Sequence, residues 1–128
     1  MYTGAAYAIS MPVLRKDFQM LQGVAREFKA PSNSGRLVPV LFCGDCGTRI
    51  MHTPHHSPHL VTLFPGTLDD SSWTRPVAHL WLSRRRKGVE IDAEALLFDE
   101  QPADRQPIYD LFARATAFDA SQSTQPVT

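Results

Sequence analysis

Short runs in which apolar and polar residues alternate make up most of this chain, and such alternation is typical of β-strands. Seven strands are expected, at residues 5–13, 18–23, 24–30, 36–42, 48–52, 60–64 and 77–82. The first of them is expected to be buried and to end at Pro12, and the run 60–64 is also expected to be buried. The turn formers Pro-Ser-Asn-Ser-Gly at 31–35 predict a hairpin between the strands on either side.

The C-terminal part of the chain has a different pattern. Ile108, Leu111 and Phe112 have the spacing of one helix face, which predicts a helix over residues 108–114. Residues 91–98 fit either a short helix or a strand. Small and polar residues then take over, so residues 116–128 are predicted to form a disordered tail. The chain is therefore predicted to be mainly β, with short antiparallel strands and one short C-terminal helix.

Composition restricts the classes of protein that fit. The 128 residues are 43% hydrophobic and 20% charged, which is ordinary for one globular domain. Thirteen basic residues balance thirteen acidic ones, so no overall charge favours nucleic acid or a membrane surface as a partner. No run has the length of a membrane span, and no signal peptide opens the chain. Two cysteines alone favour a reducing cytoplasm over a disulfide scaffold.

Both cysteines lie in the sequence Phe-Cys-Gly-Asp-Cys-Gly-Thr at residues 42–48. A Cys-x-x-Cys turn lets two sulfurs face one metal ion, and its glycines supply the positive φ angles that the turn needs. Two other interpretations stay open, a thioredoxin-like redox pair and a pair of plain buried thiols. The redox pair would begin a helix, whereas the residues after this turn read as a strand. Zinc bound by Cys43 and Cys46 fits better.

A structural zinc ion takes four ligands, and the cysteines supply only two. Residues 52–59 contain four of the five histidines, and neutral imidazole is a good zinc ligand. His52 and His55 are therefore candidate ligands that would complete the site. The alternative is an exposed, proline-stiffened loop in which the histidines are solvated. The basic run at 84–87 is a solvated loop or an anion-facing edge, and it is weak support for nucleic-acid binding.

Three segments together resemble the glutathione-dependent formaldehyde-activating enzyme and centromere protein V family, which has the Mss4-like fold. They are the cysteine turn at 42–48, Phe-Pro-Gly-Thr-Leu-Asp-Asp at 64–70, and Pro-Val-Ala-His-Leu-Trp at 76–81. Their order and spacing match the family's CxxCGT, GTLDD and P..H.W motifs. The resemblance covers roughly residues 4–98, and it is the succession of all three motifs that makes it specific.

The resemblance implies a folded sheet with a zinc knuckle, carried by a domain at residues 1–115 that lacks the family's N-terminal strands. The family has a structural zinc site, to which Cys43 and Cys46 correspond as one half. It also has a catalytic zinc held by three cysteines, where a thiolate of glutathione meets formaldehyde. No residue here matches those three cysteines, so the implied carbon–sulfur lyase activity on S-hydroxymethylglutathione lacks its catalytic residues in this chain.

Two functions follow as hypotheses. In the first, the protein is a zinc-binding member of the family that still binds glutathione, whose carboxylates would meet the loops at 66–70 and 84–87. In the second, it is a non-catalytic, metal-stabilised binding module or homodimer, because missing strands would leave sheet edges open to a second copy. The zinc site would then have one of two forms. Two knuckles of a dimer would share one zinc ion, or histidines would complete the site within one chain.

Overall fold

The computed structural model describes residues 4–32 and 34–122, without the side chains of 117–122. The chain divides into two compact units, Met1–Ser71 and Ser72–Thr128. The first unit is a five-stranded antiparallel sheet in the order β1-β5-β4-β3-β2. Its strands are β1 (Met11–Leu14), β2 (Ala25–Pro31), β3 (Leu37–Cys43), β4 (Arg49–His52) and β5 (Leu60–Leu63). The prediction of a mainly β, antiparallel protein is confirmed.

The core of this unit lies around β5, which has a partner strand on each side. Val61 is fully buried and pairs with Val13, while Leu63 pairs with both Met11 and Met51. The other residues with less than a tenth of their surface exposed include Ala30, Val40, Met51, Leu60 and Thr62. Four of the predicted strands, those at 24–30, 36–42, 48–52 and 60–64, are therefore confirmed as β2 to β5 within a residue or two.

The N-terminal predictions are corrected by the structure. Residues 5–10 are exposed and irregular, and the strand begins only at Met11. Pro12 lies inside β1 and pairs with Thr62. An edge strand tolerates a proline because the outer side of its backbone donates no hydrogen bond to another strand. Residues 18–23 form no strand, since a 3₁₀ turn at Arg15–Asp17 leads into irregular chain with Leu21 85% exposed. Alternation produces a strand only where another strand is available to pair.

The second unit contains two short strands and a helix. β6 (Ala78–His79) pairs in parallel with β7 (Leu96–Leu97), so residues 91–98 contribute a strand. The strand expected at 77–82 is cut to two residues, because Trp81 takes a left-handed conformation with φ 62°. Helix α1 (Gln106–Gln122) contains the helix expected at 108–114. Its first turn is capped by Asp104, whose Oδ1 accepts from the Gln106 N–H at 2.8 Å.

The helix extends to Gln122 and so overlaps the tail that was predicted to be disordered from residue 116. The rest of that predicted tail, residues 123–128, lies outside the described residues. Within the described part of the chain, no helix combines the length and the apolar character that a membrane crossing requires.

Replacing Val61 by alanine should lower the free energy of unfolding by about 2 kcal/mol, because it removes two methyl groups from the fully buried centre of β5. Val24→Ala is the matched control, since that valine is 91% exposed and the same change there should have little effect. Urea denaturation of both variants beside the parent chain makes the measurement. Equal losses in the two variants would contradict the placement of the core.

Candidate metal site

The cysteine turn connects β3 to β4 and closes on itself through backbone hydrogen bonds. The Cys43 N–H donates to the Thr48 carbonyl at 2.8 Å, and the Gly47 N–H donates to the Cys43 carbonyl at 2.9 Å. Gly47 has φ +73°, a left-handed conformation that glycine adopts at little cost. The prediction of a turn carried between two strands is confirmed. Since no helix begins here, the geometry expected of a thioredoxin-like pair is missing.

Gly44 is required in this turn for a different reason from the one expected. Its φ is not positive, but a Cβ at this position would lie 2.9 Å from Nε of Arg26. Arg26 belongs to β2 and pairs with Phe42, so its side chain passes directly over the turn. Any larger residue at position 44 would have to displace the arginine. This contact could not be predicted from the sequence, because the two residues are far apart along the chain.

The two thiols lie together on this turn. Cys43 is half-buried and Cys46 is exposed, and both are free. The Cys46 Sγ donates a hydrogen bond to Thr48 Oγ1 at 3.1 Å. Hydrogen bonding to the Thr48 side chain, and then to its backbone and to Cys43, holds the pKa of Cys46 below its usual value. A lowered pKa makes the thiolate of Cys46, the form in which cysteine binds metal, easier to reach.

The histidine loop lies at the other end of the sheet from the cysteine turn. β4 begins at the turn and runs away from it, and the loop follows the last residue of β4, His52. The His55 Nε2 donates to the carbonyl of Leu37, the first residue of β3, whereas Cys43 is the last. The seven residues of β3 span about 20 Å. The structure therefore does not bring His55 to the cysteines.

His52 is directed elsewhere as well. Its ring centroid lies 5.8 Å from that of Phe64, and its backbone pairs with Val40 and Thr62. Arg15 holds the loop that follows, because its Nε donates to the Pro58 carbonyl and its guanidinium donates to Thr53, both at 3.1 Å. The loop is thus fixed to the start of the chain rather than free to swing towards the turn.

These positions decide how well a zinc ion fits. Within residues 4–32 and 34–122, no group of three or more His, Cys, Asp or Glu side chains is placed to hold a metal. Cys43 and Cys46 form half of a tetrahedral site, and the histidines that were candidates for the other half are not close to it. One chain as described does not complete a four-ligand zinc site.

A shallow pocket of about 330 Å³ lies beside the turn, lined by Phe28, Val40, Phe42, Gly47 and Arg49. The Arg49 guanidinium sits 4.4 Å from the centre of the Phe64 ring, in a cation–π arrangement. Its Nε is buried without a hydrogen-bond partner among the described residues, and burial lowers the pKa of Arg49. Arg49 is the charged residue among those that line the pocket. Arg49 follows the cysteine motif directly, but nothing in the sequence marked it.

The two loops expected to meet glutathione make local contacts in the structure. The segment 66–70 begins in a 3₁₀ turn at Pro65–Thr67, in which Thr67 Oγ1 donates to the Phe64 carbonyl at 2.8 Å. Residues 84–87 belong to the second unit and are exposed, and the Arg84 guanidinium lies 5.0 Å from the centre of the Trp81 ring.

Comparison with known proteins gives one match. The sequence model of the family described as glutathione-dependent formaldehyde-activating enzyme matches residues 1–84, which is 84 of the 128 residues. This range includes the cysteine turn and both later motifs that the sequence singled out. The match does not carry the centromere protein V name. No curated protein and no solved structure matches the chain significantly.

Replacing Thr48 by valine should raise the pKa of Cys46 towards its usual value, because the valine keeps the shape and removes the hydroxyl that stabilises the thiolate. The measurement is the rate of iodoacetamide alkylation against pH, in metal-free protein carrying Cys43→Ser. The midpoint should move to higher pH, and the rate near neutral pH should fall. Thr67→Val is the control, since its hydroxyl bonds the Phe64 carbonyl instead. An unchanged midpoint would contradict the role given to Thr48.

Proposed function

The chain belongs to the glutathione-dependent formaldehyde-activating enzyme family, and on that premise we propose that it is a zinc-binding member with an Mss4-like arrangement of strands. Cys43 and Cys46 are the proposed ligands. What supports this is the pairing of two thiols on a strand–turn–strand, with hydrogen bonding that holds the pKa of Cys46 below its usual value. Zinc is the metal that two thiolates in a turn of this spacing suit best.

The proposed site is a structural half-site and not a catalytic centre. The two cysteines of the turn are the only ones in the chain, and family resemblance assigns them to the structural zinc. The other two ligands have to come from outside the described residues. The carbon–sulfur chemistry implied by the family, the making or breaking of S-hydroxymethylglutathione, is therefore not assigned to this chain acting alone. The proposed role of this chain is to bind zinc and glutathione in the cytoplasm.

Glutathione is the proposed small-molecule ligand, and the pocket at Arg49 is its proposed site. The pocket borders Gly47 of the cysteine turn, so a bound thiol and its formaldehyde adduct would lie close to the metal ligands. Glutathione is a small peptide with two carboxylates, and the half-buried Arg49 guanidinium at the pocket can donate hydrogen bonds to one of them. The apolar residues Phe28, Val40 and Phe42 would exclude water from that ion pair.

Zinc content tests the metal proposal. Cys43→Ser and Cys46→Ser should each abolish tight zinc binding, because a serine hydroxyl is a poor zinc ligand at neutral pH. His52→Ala and His55→Ala should retain it, because both histidines lie away from the cysteine turn. Elemental analysis of gently purified protein, read together with native mass, gives the stoichiometry.

One zinc per two chains would identify a site of four cysteines shared by a homodimer. One zinc per chain would mean that small ligands complete the site. A folded parent chain without zinc, or loss of zinc in the histidine variants alone, would contradict the proposal.

Glutathione affinity tests the pocket. Arg49→Ala should weaken binding roughly tenfold, the loss expected for one charge-assisted contact of about 1.5 kcal/mol, and Arg49→Lys should recover part of it. Arg84→Ala is the matched control, since that arginine lies against Trp81 in the other unit. Calorimetric titration of the zinc-loaded protein makes the measurement. Equal effects at the two arginines, or acceleration of adduct formation by the chain alone, would overturn this part of the proposal.

A further inference from the structure

The strand β2 forms an open edge of the five-stranded sheet. It pairs with β3 over all seven of its residues, and its other side has no strand partner among the described residues. All of its residues except Ala25 and Ala30 are exposed. The opposite edge, β1, is only four residues long and contains Pro12, which cannot donate to a further strand. Of the two described edges of this sheet, β2 is therefore the one long enough to pair with another strand over seven residues.

The backbone of β2 alternates between groups directed at β3 and groups directed outward. The Thr53 N–H donates to the Pro39 carbonyl at 3.2 Å, so the backbone of Pro39 faces β4 and not β2. Lys29 lies opposite Pro39, which makes theirs a pair without hydrogen bonds between them. Lys29 therefore directs its N–H and C=O outward, and by alternation Glu27 and Ala25 do the same.

We propose that β2 pairs antiparallel with β2 of a second copy of this chain, about a two-fold axis at Phe28. In this register the outward-directed Glu27 and Lys29 form hydrogen-bonded pairs with Lys29 and Glu27 of the second copy. Each pair places opposite charges directly opposite each other across the two strands, an arrangement that stabilises an antiparallel pair. The two-fold repeats the pair on both sides of the axis, so the interface is self-complementary.

The alternation of the backbone and the charges excludes the neighbouring registers. A shift by one residue would place a residue whose N–H and C=O point outward opposite a residue whose N–H and C=O point towards β3. The two strands then could not form a ladder of hydrogen bonds. A shift by two residues in either direction places Glu27 against Glu27, or Lys29 against Lys29, across the axis, which is destabilising. Charges on an edge strand often serve to block pairing. Here they block the incorrect registers and favour one.

The side chain at the axis fits the same arrangement. Phe28 is 52% exposed in the middle of the strand and lines the shallow pocket with Val40 and Phe42. In the proposed dimer the two Phe28 residues form a pair without hydrogen bonds, where Cα atoms approach to about 4.5 Å and side chains are closest. Pairing would bury the exposed aromatic rings and extend the apolar surface beside each pocket.

This dimer is independent of a shared zinc ion. Cys43 lies opposite Ala25, and in the proposed register Ala25 faces Pro31 of the second copy. The two Ala25 residues are then about 20 Å apart along the strands, and the two cysteine turns are at least as far apart. One zinc ion cannot join them across that distance. The inference thus stands whether or not the half-site binds metal.

Sedimentation equilibrium of the full chain over a range of concentrations tests the proposal. The parent chain should dimerise with and without chelator. Glu27→Lys and Lys29→Glu should each weaken the dimer roughly tenfold or more, since each places like charges opposite each other on both sides of the axis. An equimolar mixture of the two variants should form the heterodimer preferentially, because all four charges then oppose a partner of the other sign. Glu90→Lys, an exposed change in the other unit, should leave the dimer unchanged.

Native mass spectrometry of the mixture identifies the heterodimer, and far-UV circular dichroism shows that both variants keep the sheet. A parent chain that stays monomeric at every concentration would overturn the proposal. So would single variants that dimerise as tightly as the parent, or a mixture with a statistical distribution of species. A dimer that dissociates when chelator is added, and whose affinity is the same in the charge variants as in the parent, would overturn the proposal in favour of a metal bridge through the cysteines.

Discussion

Antiparallel pairing of β3 with a strand on each side is the constraint on which the rest of the first unit depends. It places the cysteine turn at one end of the sheet and the histidine loop at the other, because β4 has to run back along β3. It also decides which backbone groups of β2 face outward, through the position of Pro39. A single residue of slip in β3 would alter the site, the core face and the edge together.

The sequence predicted those parts of the fold in which local pattern and pairing agree. The strands β2 to β5 could be predicted because alternation is bounded by turn formers, and each lies beside a strand close to it in the chain. Residues 18–23 show the same alternation and form no strand, because no partner is available. Trp81 ends β6 through its left-handed φ, which tryptophan rarely adopts and no pattern announces.

The residues of the candidate site also fall into two groups, those that the sequence could identify and those that it could not. Cys43 and Cys46 could be identified because their ligand spacing is contained in one turn. The proposal that His52 or His55 would reach them rested on closeness in sequence, and the direction of β4 decides against it. Arg26 and Arg49 were not found, because their places beside Gly44 and Phe64 come from strand register. Contacts across strands become visible only when the register is known.

Two incomplete features remain in the described part of the chain, a half-site for metal and an open strand edge. Different partners complete them. A pair of thiolates binds zinc weakly until further ligands arrive, so its affinity is coupled to whatever supplies them. An open edge is completed by any strand of matching register, and β2 matches itself. Because the two cysteine turns lie at least about 20 Å apart in the proposed dimer, closing the edge leaves both half-sites open. Each half-site keeps its two cysteines at the turn, beside the pocket that Gly47 and Arg49 help to line. Phe28 belongs to both surfaces, because it lies at the proposed two-fold axis and also lines the pocket, so pairing through β2 and occupation of the pocket would influence each other.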